Sequence, residues 1–281
     1  MQSHTYHGAG GCLGRFARMF LLAGFAFAAV PAMTAEDIRL ATTTSTENSG
    51  LLKVILPVFE AKYGGKVRVV SVGTGAALKL GENGDADVVL VHARGLEDKF
   101  MAAGFGSVRK DVMYNDFIIV GSKRDPAGVR GSKDVTAAMK KISASGAKFV
   151  SRGDESGTHQ MEKDYWKSAR VAPQGAWYVS AGQGMGQVLT MAGQLEGYAL
   201  TDRATYASYK DKTGLETLVE GDPKMFNPYG IITVNPQKHP AVNIQGAMAL
   251  VNWMTSPEGQ KAIAAFKING VQMFFPDSGT R

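Results

Sequence analysis

The chain has 281 residues, 44% of them hydrophobic, and a formal net charge of +6. That apolar share is enough for real cores, and the Lys and Arg residues are scattered rather than clustered, which argues against a nucleic-acid partner. The single cysteine, Cys12, falls in a leading segment expected to be removed, which excludes disulfides and thiolate metal sites from the mature protein.

Residues 1–35 carry no Asp or Glu, two basic residues (Arg15 and Arg18), and then an apolar run from Met19 to Val30. The run ends in small residues, with Val30-Pro31-Ala32 and Met33-Thr34-Ala35 as competing cleavage sites. A basic flank, a short apolar stretch and small residues at its exit describe a secretory signal. The run is too short and too rich in Gly and Ala for a comfortable membrane span, and no later segment is apolar enough to cross a bilayer. The mature chain is therefore expected to be exported and soluble. About 245 residues remain, room for one large α/β unit or for two lobes.

The mature chain alternates short apolar strands with helical patterns, which predicts an α/β architecture. Ile38–Thr42 reads as a strand, and Leu51–Tyr63 as a helix whose Leu51, Leu52, Ile55, Val58 and Phe59 recur at helical spacing. Lys66–Val72 is the next strand, followed by a short helix around Ala76–Gly81 and a strand at Val88–Val91 buried on both faces. Phe117–Gly121 and Tyr229–Val234 read as two crossings between lobes. Between them the pattern gives strands at Lys148–Val150, Trp177–Val179 and Tyr198–Leu200, with helices near Thr158–Arg170 and Met185–Ala192. Helices at Ala241–Met254 and Pro257–Phe266 close the chain, the second opened by Ser256-Pro257.

Four strands end in Gly/Ser/Thr loops that lead into helices. These are Thr42–Ser45, Gly73–Ala76, Ser151–Thr158 and Gly182–Gly186. Each offers unpaired backbone N–H groups and hydroxyls at a helix start, an arrangement suited to an anion. In an α/β sheet such loops lie beyond the carboxyl ends of the strands, where ligands bind. One loop of this kind is ordinarily just a helix cap. Four of them, two in each expected lobe, predict a cleft that closes on an anion.

Several stretches resemble the TupA-type tungstate-binding proteins of ABC importers: Ala41–Ser45, Val72–Gly75, Asp85–His92, Asp111–Phe117 and Ser151–His159. The similarity runs in order through residues 38–277. The resemblance implies a two-lobed type II periplasmic-binding-protein fold with mixed, mostly parallel sheets and two crossover segments. Lobe I would comprise residues 36–121 and 229–281, lobe II residues 122–228, and residues 1–35 the signal peptide. It further implies a periplasmic monomer that delivers tungstate, or molybdate, to an inner-membrane permease driven by a separate ATPase. Thr43, Thr44, Ser45 and Thr74 would donate from the first lobe, and Ser156, Gly157, Thr158 and Gly184 from the second. Arg152 is the expected cation, with a planar fork suited to anion oxygens and with Asp154 to orient it. Arg109 is a second candidate. No cofactor and no metal ion are expected, since tungsten would be bound only as its oxyanion.

Tungstate is fully deprotonated at neutral pH and calls for donors, whereas phosphate keeps a proton that an ionised carboxylate can accept. Asp154 and Glu155 therefore keep a phosphate importer as the alternative. A serine hydrolase is a reading from another class, because Ser156, His159 and Asp154 lie together. Their spacing lacks the Gly-x-Ser-x-Gly elbow, however, and His159 falls in the first helical turn. His92 is expected as a hydrogen-bonded structural histidine. The Trp166–Trp177 region and the methionines are expected in the core, which leaves a sugar site without aromatic platforms.

Overall fold

The computed structural model describes residues 7–8 and 35–279. The secretory segment expected over residues 1–35, with Cys12, lies almost wholly outside the described residues.

Two long strands organise the fold. The first half alternates β1 (Ile38–Thr43), α1 (Thr44–Asn48), α2 (Leu51–Tyr63), β2 (Val67–Val72), α3 (Thr74–Asn83), β3 (Val88–Val91) and α4 (Arg94–Ala102) before the long β4 (Gly106–Gly121). There follow α5 (Val135–Ser145), β5 (Phe149–Ser151), α6 (Gly157–Ala169), β6 (Tyr178–Ser180), α7 (Met185–Gln194), β7 (Ala199–Asp202), α8 (Arg203–Thr213) and β8 (Glu216–Val219). The second long strand, β9 (Phe226–Val234), returns the chain to α9 (Ile244–Met254) and α10 (Pro257–Ala265).

In the larger sheet the order is β2, β1, β3, β9, β4, with Phe275–Pro276 on the far edge of β4. β1 runs parallel to β2 and β3, while β9 is antiparallel to both β3 and β4. β4 and β9 pair from Gly106↔Val234 to Asp116↔Phe226, and the remainder of β4 then pairs antiparallel with β7 and β8. The sheets are thus mixed as expected, but they are not mostly parallel: among the described strands antiparallel pairing predominates. Their antiparallel share exceeds what strand–helix alternation suggests, because β9 runs back along β4 from Gly106 to Asp116 and β7 and β8 run antiparallel to the rest.

Continuous apolar runs mark strands buried on both faces, and the pleat sends alternate residues to opposite sides. In β3, Val88 and Leu90 join one apolar cluster while Val89 and Val91 join another. In β4, Phe117 and Ile119 face one cluster and Ile118 and Val120 the other. The clusters also separate along the chain. Two draw on residues 38–113 and 229–274, with Ala204 of α8 added, and two draw on residues 117–225.

Most expected elements occur within a residue or two of their predicted ends. β4 is the main difference. Its first half is rich in charge and lacks the apolar run by which the strand at Phe117–Gly121 is read. α4 and α8 are also unanticipated, since each buries few apolar side chains. α5 goes unread although Val135, Ala138, Met139 and Ile142 do stand at helical spacing. Ile119 is fully buried where β4 changes its register against β8. Ile119→Ala should destabilise the fold by about 2–5 kcal/mol. Urea unfolding followed by circular dichroism would measure this, and an unchanged midpoint would refute it.

Candidate functional site

Each of the four donor loops is built by a strand that stops and a helix that starts. Thr43 ends β1 and caps α1, its Oγ1 accepting the Thr46 N–H at 3.2 Å. Gly73 leads Thr74 into α3, Ser156 caps α6 by accepting the His159 N–H at 3.2 Å, and Gly184 leads into α7. These helix starts leave N–H groups without intrahelical partners and carry the positive end of the helix dipole.

The structure brings the loops together. Arg152 Nη2 donates to Thr44 Oγ1 at 3.2 Å, and the Gly157 N–H donates to Thr74 Oγ1 at 2.9 Å. A Cβ at Gly184 would stand 3.6 Å from Thr44 Oγ1, so the α7 start meets the α1 start. Thr43 Oγ1 lies 3.0 Å from Ser45 Oγ and 2.7 Å from Thr46 Oγ1, a cluster of three hydroxyls under the same loop.

Two glycines make this approach possible. Gly153 has φ +60, and a Cβ there would clash with Ser180 Oγ. A Cβ at Gly157 would stand 3.1 Å from both the His92 carbonyl oxygen and Thr74 Oγ1. The loop is shaped further by Asp154. Its Oδ2 accepts from Arg152 Nε at 3.1 Å and from Arg152 Nη2, and its Oδ1 accepts the Ser156 N–H at 3.2 Å.

Arg152 is only 1% exposed. Among the described residues, neither its Nη1 nor the Thr158 hydroxyl, both buried, has a hydrogen-bond partner. Buried donors are normally satisfied, so two orphans on neighbouring segments of one loop-helix start are a specific feature. With the hydroxyls and helix starts around them, they form a cradle of donors. Asp154 is already engaged at both oxygens, and Glu155 pairs with Lys163 at 2.7 Å.

Arg109 is not brought to this cradle. It donates to Glu97 at 2.8 Å and meets Asp111 at 2.9 Å. Its place on β4 is opposite Ile232, roughly 20 Å along the strand from Asn115 at the usual rise per residue. The Ser156–His159 pair also lacks hydrolase geometry. Ser156 Oγ is the helix cap, and His159 Nδ1 accepts the Glu155 N–H at 3.1 Å.

Sequence reasoning leaves the layer beneath the cradle largely unread. His92 Nε2 lies 3.0 Å from Ser45 Oγ and 3.2 Å from Thr43 Oγ1, and its Nδ1 lies 3.0 Å from Asn227 Oδ1. Asn227 Nδ2 donates to Asn115 Oδ1 at 2.7 Å, joining β9 to β4 where those strands part. Asp202 caps α8, whose Thr205 hydroxyl donates to the Ser45 carbonyl at 3.0 Å. The available signal was a polar residue beside each apolar crossing strand: Asn115 before Phe117–Gly121, and Asn227 before Tyr229–Val234.

Residues 29–258 match the PBP superfamily domain. The chain is 47% identical over 246 residues to a tungstate-binding protein TupA of Peptoclostridium acidaminophilum, covering 86% of each chain. It is 40% identical over 242 residues to a tungstate-binding protein TupA of Campylobacter jejuni, covering 84% of this chain and 90% of that one. Among solved structures, the tungstate ABC transporter protein of Geobacter sulfurreducens is 58% identical with a TM-score of 0.77, covering 82% of this chain and 98% of that one. The tungstate-binding protein TupA of Desulfovibrio alaskensis is 48% identical with a TM-score of 0.73, covering 87% of this chain and 100% of that one.

Burial, with the charge of Arg152 nearby, lowers the His92 imidazole from 6.5 to about 4. The folded state therefore keeps His92 neutral at a pH where the unfolded chain protonates it. The stability it contributes is present above pH 6.5 and is lost as pH falls toward about 4. Urea midpoints at about pH 7 and about pH 5 should fall further for the native chain than for His92→Gln. Equal losses would show that His92 does not carry this dependence.

Proposed function

We propose that this chain, which belongs to the TupA-type tungstate-binding family of the PBP superfamily, captures tungstate and delivers it to an ABC permease. The family consists of substrate-binding transport proteins rather than catalysts, and on this reading the chain is not an enzyme. The observation that carries the proposal is the pair of buried, unpartnered donors, Arg152 Nη1 and the Thr158 hydroxyl, set among converging helix starts.

In this reading Arg152 supplies the positive charge. Thr43, Thr44, Ser45, Thr74, Ser156, Thr158 and Gly184 supply hydroxyl and N–H donors around the oxyanion, and Gly157, whose N–H is committed to Thr74 Oγ1, holds that hydroxyl in place. Arg109 serves instead as a structural partner of Glu97 and Asp111. A fully deprotonated dianion suits such a donor-rich set, and molybdate shares its charge and shape. Protonated phosphate would want an acceptor, and both oxygens of Asp154 are committed. A hydrolase would want a hydroxyl paired with a basic imidazole, which Ser156 and His159 do not form.

The reading places lobe I at residues 36–121 and 229–281 and lobe II at 122–228, which the division of the apolar clusters supports. The site is their cleft. The protein works in the periplasm as a monomer, after removal of the leading segment. Among the described residues no helix is long and apolar enough to cross a membrane.

Calorimetric titration with tungstate, molybdate, sulfate and phosphate side by side should show tight binding of the first two and weak or no binding of the others. Heat-free titrations with both metal oxyanions would end this reading. Arg152→Ala should weaken tungstate binding by at least about tenfold, as expected for losing charge-assisted hydrogen bonds, and more than Arg109→Ala does. The reverse ranking would assign the cation to Arg109.

A further inference from the structure

Beneath the cradle, six buried residues close a ring of polar contacts. It runs from Ser45 to His92, Asn227, Asn115, Asp202 and Thr205, and returns from the Thr205 hydroxyl to the Ser45 carbonyl. The ring has a direction. Asp202 Oδ2 receives the Thr205 backbone N–H at 2.9 Å, which makes that oxygen an acceptor. Asn115 therefore turns its NH2 toward it, at the long distance of 3.5 Å, and its carbonyl oxygen toward Asn227. Asn227 donates to Asn115 and so presents its own oxygen to His92. His92 must then carry its proton on Nδ1, which leaves Nε2 bare toward the hydroxyls of Thr43 and Ser45.

The Ser45–His92–Asn227 row has the outline of a nucleophile, a base and its orienter. The third member is a neutral amide, however, and the imidazole is buried and stacked on Tyr229 with ring centroids 4.7 Å apart. A neutral, apolar-packed imidazole with a depressed proton affinity makes a poor base and a good fixed acceptor. Resting on the anion-binding reading above, we propose that His92 is a positioning residue of the cradle: its bare Nε2, with one lone pair, takes the O–H of Thr43 or Ser45 and so leaves the other hydroxyl to donate to the anion. Asn115 and Asn227 stand on the two strands that join the cores, and Thr205 reaches α1 from α8. The hydroxyls are thus set in order only when those elements are seated together.

The test uses two variants and one spectrum. His92→Phe keeps a ring against Tyr229 and removes both nitrogens. His92→Gln keeps an N–H for Asn227 and a carbonyl oxygen for the hydroxyls. In calorimetric titrations with tungstate, His92→Phe should bind on the order of tenfold more weakly or worse, while His92→Gln stays within about threefold of the native chain. Native affinity in His92→Phe, or a His92→Gln as weak as His92→Phe, would overturn the proposal. Nitrogen-15 NMR of the native chain at neutral pH should show the Nδ1–H tautomer, and an Nε2–H tautomer would also overturn it. This spectrum decides the matter even where His92→Phe fails to fold. If the native chain does not bind tungstate, the functional reading fails and the proposal falls with it. Native binding that His92→Phe leaves intact sinks the proposal alone.

Discussion

A guanidinium taken almost completely out of water must be compensated, because an isolated buried charge is among the costliest things a fold can hold. Arg152 meets that demand only in part. Asp154 engages Nε and Nη2, Thr44 receives a further bond from Nη2, and Nη1 is left without a partner among the described residues. Much of the surrounding architecture follows from keeping this group buried yet incompletely satisfied. Asp154 needs a tight loop, the loop needs Gly153 at positive φ, and the loop must end at once in α6 so that Ser156 and Thr158 fall beside the arginine.

The opposite wall is made of different material for the same purpose. It offers hydroxyls rather than charge: Thr43, Thr44 and Ser45 at the start of α1, and Thr74 at the start of α3. Hydroxyls can donate or accept, so their usefulness depends on what orients them. The amide and imidazole layer below supplies that orientation without adding a second charge, since a neutral His92 neither competes with Arg152 nor attracts a counter-ion. On the proposed reading, selectivity for a doubly charged, unprotonated anion would come from the balance of one cation, many neutral donors and an Asp154 whose two oxygens are already in use.

The parts of the fold that announce themselves in the sequence are those with strong periodicity or strong punctuation. The apolar runs at Val88–Val91 and Phe117–Gly121, the helical spacing in α2 and the Ser-Pro opening of α10 all carry their own signal. The first half of β4 does not, because most of its side chains are only part-buried and so include charges a buried strand would exclude. The donor loops are legible because Gly, Ser and Thr at helix starts have few other physical uses in such number. Arg152 is legible with them. Arg109 misleads because an arginine that closes an ion pair with Glu97 looks, in sequence, like one that waits for a ligand. Asn227, Asp202 and Thr205 are invisible for another reason. Their roles depend on contacts with residues 87 to 160 positions away, which no local pattern encodes.

The continuity of β4 also has a mechanical meaning. One strand of 16 residues serves the first sheet along its early part and the second sheet at its end, bonded to β9 almost to the point where it changes partners. No slack loop intervenes on that strand. Displacement of one core against the other must therefore be absorbed by twisting a hydrogen-bonded ribbon, as in a leaf spring, rather than by swinging on a free joint. Such a connection returns elastic energy and permits torsion far more readily than shear. On the proposed two-lobe reading, the two walls of the cradle would meet along the same path each time, with their donors arriving in register.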